Sequence, residues 1–184
     1  MTSSRKPTKE EIRAAFGKTV PDLIAPDLQV LFCGINASLY SAAVGHHFAR
    51  PGNRFWPTLQ GAGFTDRLLT PFEDGDLLKL GYGLTNVVAR ATARADEIAA
   101  EEFVKGYQGL ADKVQRYRPQ FLAVLGIGAY RTAFRQPKAV VGQQDASLHG
   151  AAIWVLPNPS GLNAHYQLKD LKRIYRELFL AINR

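Results

Sequence analysis

Apolar residues along this chain follow two rhythms. Four short, nearly continuous apolar runs, at residues 28–33, 84–88, 121–125 and 153–156, read as strands. Strands without a polar face are covered on both sides, so the runs predict a four-stranded, mostly parallel sheet. Elsewhere the spacing becomes helical. Phe103, Tyr107, Leu110, Val114 and Tyr117 recur every three or four residues, and Leu168, Leu171, Tyr175, Leu178 and Ile182 form a second stripe. Shorter helices are predicted at 54–60, 74–80 and 129–134. Because strand and helix alternate, the fold class is α/β.

Turn-forming and capping residues divide the chain further. Thr8, with Glu11 three residues on, has the spacing of a capping box and predicts a short helix that Gly17 ends. Residues 1–7 read as a frayed tail, and Pro21 and Pro26 mark the linker into the core. The organisation expected is an N-terminal tail and short helix at 1–20, then a single domain at 21–184, with no internal repeat.

The segments after the strands share a character. Gly34-Ile35-Asn36-Ala37-Ser38 follows the first run, Ala89-Arg90-Ala91-Thr92 the second, and Pro157-Asn158-Pro159-Ser160-Gly161 the fourth. In open α/β sheets ligands bind outside the carboxyl ends of the strands. These loops should therefore build the site, with Asn36 and Asn158 as candidate polar groups.

Charge narrows the partner. The formal net charge is +7 and the sequence pI about 9.7, the footprint expected of a protein that meets phosphate backbones. No apolar run approaches the roughly 20 residues needed to span a bilayer, so no membrane partner is expected. The N-terminus lacks the apolar stretch of a signal peptide. The lone Cys33 lies in an apolar run, which excludes an intramolecular disulfide framework and fits a reducing cytoplasm. Four histidines and one cysteine offer no zinc spacing. Gly126-Ile127-Gly128 lacks the third glycine of a dinucleotide fingerprint, since Arg131 stands there. Asp96 and Glu97 read as a cap or as solvated charges rather than as an acid or base.

Two motifs go further. Gly34-Ile35-Asn36-Ala37-Ser38 continues through Phe48 to Asn53-Arg54-Phe55-Trp56, and Asn158-Pro159-Ser160-Gly161-Leu162-Asn163 follows the last predicted strand. In this order and spacing, from about Leu28 to the C-terminus, the chain resembles the mismatch-specific uracil-DNA glycosylase and thymine-DNA glycosylase family. The resemblance implies a single three-layer domain with a four-stranded sheet flanked by helices and the site at one edge. It implies no metal or organic cofactor, a monomer, and a duplex DNA substrate in which uracil, thymine or an exocyclic cytosine adduct is paired with guanine.

Such chemistry leaves positive charge on the sugar and negative charge on the base, and the base must first leave the stack. By resemblance, Asn36 positions the water, Phe48 stacks on the flipped base, and backbone groups of Ile35 and Phe48 meet its edge. Leu162, on Gly161-Leu162-Asn163, is the wedge that fills the vacated space. Tyr40 and Ser41, in the connecting loop, are candidates for lining the pocket or touching phosphate. Asn158 and Ser160 are candidates for holding sugar or phosphate. Arg50, Arg54, Arg90 and Arg94 are candidate phosphate contacts. On the residues alone, Asn36 could equally shape a turn, Phe48 belong to the core, and Leu162 fold back onto it.

The chain departs from the family pattern at three places. Ala37-Ser38 replaces Pro-Gly, and Asn163-Ala164-His165 replaces a Ser-Arg pair, so His165 is a partial substitute for a phosphate or guanine contact. The position before Arg90, acidic in several relatives, is Ala89. A carboxylate there could activate water, so Ala89→Asp is expected to raise the cleavage rate. No lysine nucleophile stands at the matched positions, so a monofunctional glycosylase is expected. The alternative is a non-catalytic binder of mismatched or abasic DNA.

Overall fold

A computed structural model describes residues 5–184. Thr8 caps helix α1 (Lys9–Arg13). Its hydroxyl accepts from the Glu11 N–H, and the Glu11 carboxylate accepts from the Thr8 N–H, the reciprocal cap that the spacing predicts. The helix ends at Ala14, and Gly17 comes later, in a left-handed turn at φ 76°. Of the expected tail, residues 1–4 lie outside the described residues, while Pro7 is buried rather than frayed.

The sheet has five strands: β1 (Val30–Gly34), β2 (Tyr82–Asn86), β3 (Phe121–Leu125), β4 (Gly142–Leu148) and β5 (Ala151–Leu156). Their order is β2-β1-β3-β5-β4. The four apolar runs are the four parallel strands, and β4 pairs antiparallel with β5 at one edge. The fifth strand corrects the expected count of four. Of its residues only Leu148 is buried, so no core-facing alternation marked it. It joins β5 through His149 and Gly150, both at positive φ, the two-residue turn whose twist suits a hairpin.

Side chains of successive strand residues point to opposite faces. Val30, Phe32, Ala123, Leu125, Trp154 and Leu156 pack under helices α3 (Phe55–Ala62) and α7 (Leu168–Ile182). Leu31, Cys33, Leu122, Val124, Ile153 and Val155 pack under helices α5 (Ala100–Tyr117) and α6 (Ile127–Ala133). One α/β domain of three layers results. Fully burying one such Leu or Phe is worth about 1.5–3 kcal/mol. Burial also pushes the Cys33 thiol well above its ordinary range, so it stays protonated and inert.

The short helix α4 (Asp76–Lys79) falls within the predicted 74–80 segment, and a further helix, α2 (Leu39–Val44), occupies what the sequence suggested was a loop and carries Tyr40 and Ser41. Ser38 caps it, its hydroxyl accepting from the Ser41 N–H at 3.1 Å. The N-terminal segment docks against the loop after β2. Gly17 N–H donates to the Ala91 carbonyl and Ala91 N–H donates to that of Lys18, while Val20 packs with Ala37 and Ala91.

Candidate active site

Strands β1, β2 and β5 end at the same edge of the sheet, and the loops beyond them enclose a cleft of about 390 Å³. Asn36 and Leu162 both line it. The two motifs, more than 100 residues apart in the chain, therefore meet in one concave site.

The loops after β1 and β2 stay paired beyond the strands. Val87 N–H donates to the Gly34 carbonyl and Val88 N–H to that of Ile35, each at 2.9 Å, and a parallel bridge joins Ser38 to Thr92. Asn36 sits on this extension. Its side-chain amide donates to the Arg90 carbonyl at 3.0 Å and to Thr92 Oγ1 at 2.8 Å. A backbone carbonyl can only accept, so the NH2 end must face Arg90. Thr92 Oγ1 passes its own proton to the Arg94 carbonyl at 2.7 Å, which leaves it an acceptor for Asn36. With the amide oriented this way, Asn36 Oδ1 accepts from none of the described residues and remains available to a water.

Phe48 is held in an unusual conformation. Its φ is 52°, left-handed, which a bulky residue adopts only when its surroundings enforce it. Three contacts do so. Ser41 Oγ accepts the Ala49 N–H at 2.9 Å, Asp74 Oδ2 accepts from His46 Nδ1 at 3.1 Å and from the His47 N–H, and the Phe48 ring stacks on Phe55 at 4.1 Å. The ring lines the cleft beside Gly34. A Cβ at Gly34 would lie 2.6 Å from Asn86 Oδ1 and 3.3 Å from the Phe48 ring, so only glycine lets both reach the site.

His47 is buried at the cleft wall, with Nε2 2.8 Å from the Pro21 carbonyl. That nitrogen must carry a proton, and burial lowers the pKa, so the neutral Nε2–H tautomer is favoured.

The loop from Asn158 to Tyr166 is heavily cross-braced. Asn158 Oδ1 accepts the Ser160 N–H, Ser160 Oγ accepts the Leu162 N–H, and Asn163 bridges the Asn158 carbonyl and the His165 N–H. Tyr175, fully buried on α7, donates to the Pro157 carbonyl at 2.8 Å. Arg54 donates to the carbonyls of Pro159, Ser160, Asn163 and Tyr166. Leu162, at the crest, is 67% exposed.

The expected site residues thus divide. Asn36, Ile35, Phe48, Ser41, Asn158, Ser160, Leu162, Asn163 and Arg50 line the cleft. The Ile35 carbonyl already accepts the Val88 N–H, which leaves it one lone pair. Ser41 is buried and braces Ala49, which removes it as a phosphate contact. Tyr40, His165 and Ala89 lie outside the cleft lining. Ala89 is exposed. Gly161 packs on the 50–53 turn, where a Cβ would meet the Gly52 carbonyl oxygen at 2.6 Å. Arg54 is engaged inside the protein rather than held out to phosphate. Arg90 forms a two-point pair with Glu102, while Arg94 does line the cleft, with its exposed guanidinium paired to Asp96, which lines it too.

Sequence reasoning missed Asn86, Thr92, His47 and Asn53, which also line the cleft. Asn86 carried one usable signal, as the polar residue closing an apolar strand at the sheet's carboxyl edge. Asn53 Oδ1 caps the first turn of α3 through the Phe55 N–H. Asn53 lay inside a quoted motif, but no role was assigned to it.

The sequence profile of the Uracil DNA glycosylase superfamily matches residues 21–179. The fold is similar to a solution NMR structure from Methanosarcina acetivorans described as a "putative Uracil DNA glycosylase". That match has a TM-score of 0.56 at 21% identity and covers 89% of this chain and 99% of the other. With a profile match across most of its length and the superfamily's fold beneath its cleft, this chain belongs to the uracil DNA glycosylase superfamily.

Proposed function

We propose that this protein is a monofunctional glycosylase that flips uracil out of G·U mismatches in duplex DNA and hydrolyses its bond to the sugar. The observation that carries the reading is the convergence of Asn36, Phe48 and Leu162 on one cleft. Each has the exposure its role needs. Asn36 offers an acceptor to water, Phe48 offers a ring to a base, and Leu162 stands out from the surface.

In this mechanism the C1′–N1 bond breaks with its electron pair leaving on the base, whose ring oxygens delocalise the charge. Water held by Asn36 Oδ1 attacks C1′, and its proton passes to solvent and in the end to the uracil anion, so the products are neutral uracil and an abasic sugar. An amide is a poor proton acceptor, so the rate rests on positioning and on how well the base anion is stabilised. Among the described residues lining the cleft there is no lysine, in keeping with hydrolysis rather than a Schiff base.

The test is a set of labelled oligonucleotides carrying G·U, A·U, G·T or single-stranded uracil, incubated with the protein and treated with alkali. Scission at the uracil of G·U, above that of A·U, is the expected result. Tight binding to the G·U duplex with no scission would replace the enzyme by a lesion binder.

A further inference from the structure

We propose that Arg54 is the positioning residue of the wedge, a latch that fixes the Leu162 loop in its inserting shape before DNA arrives. This rests on the reading of Leu162 as the wedge. Arg54 stands at the N-terminal end of α3, and the loop it holds lies more than 100 residues further along the chain. Its guanidinium meets four backbone carbonyls, those of Pro159, Ser160, Asn163 and Tyr166. These carbonyls flank Leu162 on both sides. Arg54's own N–H also donates to the Pro159 carbonyl at 3.0 Å.

A loop rich in Ser, Asn and Gly would otherwise lose much conformational freedom on entering a duplex, and preorganisation removes that cost. Only arginine fits. Its rigid planar fork carries five donors, whereas lysine has three on one point and cannot span four divergent acceptors. The loop is constrained at a second contact, because Gly161 lies against the Gly52 carbonyl.

This assignment differs from a phosphate contact in a measurable way. Arg54→Lys keeps the charge, so a phosphate role predicts nearly unchanged affinity. A positioning role predicts that affinity for a duplex holding a tetrahydrofuran abasic analogue opposite guanine falls about tenfold, the scale of losing hydrogen bonds to a charged group. Affinity for undamaged duplex should stay within about twofold. Fluorescence anisotropy with wild type, Arg54→Lys, Leu162→Ala and the double variant reads all of this. If Arg54 acts through Leu162, the double variant binds no more weakly than the weaker single variant. Losses that multiply, or Arg54→Lys binding the abasic duplex like wild type, overturn the proposal. Should Arg54→Lys fail to fold, Gly161→Ala disturbs the same loop at its contact with Gly52, and unchanged abasic affinity in that variant also overturns it. A wild-type protein that does not prefer abasic over undamaged duplex would instead remove the wedge reading itself, before Arg54 is tested.

Discussion

The side-chain amide of Asn36 and the hydroxyl of Thr92 are joined by a 2.8 Å hydrogen bond, and Thr92 can accept it because its own proton goes to the Arg94 carbonyl. Together with the Arg90 carbonyl, the pair fixes which end of the amide faces the cleft. Asn36→Ala is expected to lower single-turnover cleavage of G·U DNA by about a hundredfold or more while leaving duplex affinity nearly intact. Thr92→Val removes the acceptor and should cost about tenfold in the same rate, since a misplaced group loses much of its effect. Thr92→Ser restores the hydroxyl and should return most of the rate. Equal rates for the Val and Ser variants would mean that the hydroxyl does not orient Asn36.

Ala89 carries a simpler expectation. The position is exposed and outside the cleft lining. The sequence suggested that a carboxylate there would assist water, but the residue is not among those that line the cleft. Ala89→Asp should leave the G·U cleavage rate within about twofold of wild type. A clear gain in single-turnover rate would show that the loop after β2 closes further over the substrate.

Acid stability should depend on Glu102. Its bond to the Arg90 guanidinium, and then the Ala99 N–H, hold its carboxyl at about 2, below the ordinary 4.5. A folded-state pKa below the unfolded one stabilises the fold fully above about pH 4.5, and this contribution fades as the pH falls toward about 2. Thermal unfolding of wild type and Glu102→Gln at pH 7 and near pH 2.5 is the check. The difference in Tm between them should shrink at the lower pH. A constant difference would rule out this linkage.

Two glycines of α5 should respond oppositely to alanine. Nothing lies near a Cβ at Gly109, whereas one at Gly106 would strike the Val87 carbonyl oxygen. Gly109→Ala should raise stability in urea by about 0.5–1 kcal/mol, the usual helix gain. Gly106→Ala should lower it, because the carbonyl is backbone and cannot step aside. If both variants are stabilised, the helix does not approach the loop after β2 so closely.

What could be read from the sequence was whatever has a local signature. The parallel strands announced themselves because both their faces are buried. The long helices did so through their stripes, and Asn36, Phe48 and Leu162 through motifs. Strand β4 was hidden because Gln143, Asp145 and Ser147 sit on an edge that faces little of the core. Helix α2 was hidden because only Ser41 of its six residues is buried. Arg54 was placed in the site but given the wrong kind of partner. Its acceptors are main-chain carbonyls, which every residue possesses, so no side-chain pattern could mark them. Thr92 was missed for the same reason, as its importance arises only when two loops align.

The bonds that carry β1 and β2 past their final register have a thermal consequence. They set Asn36 on a ledge continuous with an inner strand, not on a tether free to sway. Opening that ledge means parting β1 from β2, two strands whose residues are almost all buried. Turnover on warming should then survive the softening of outer segments and vanish only with the collapse of the whole fold.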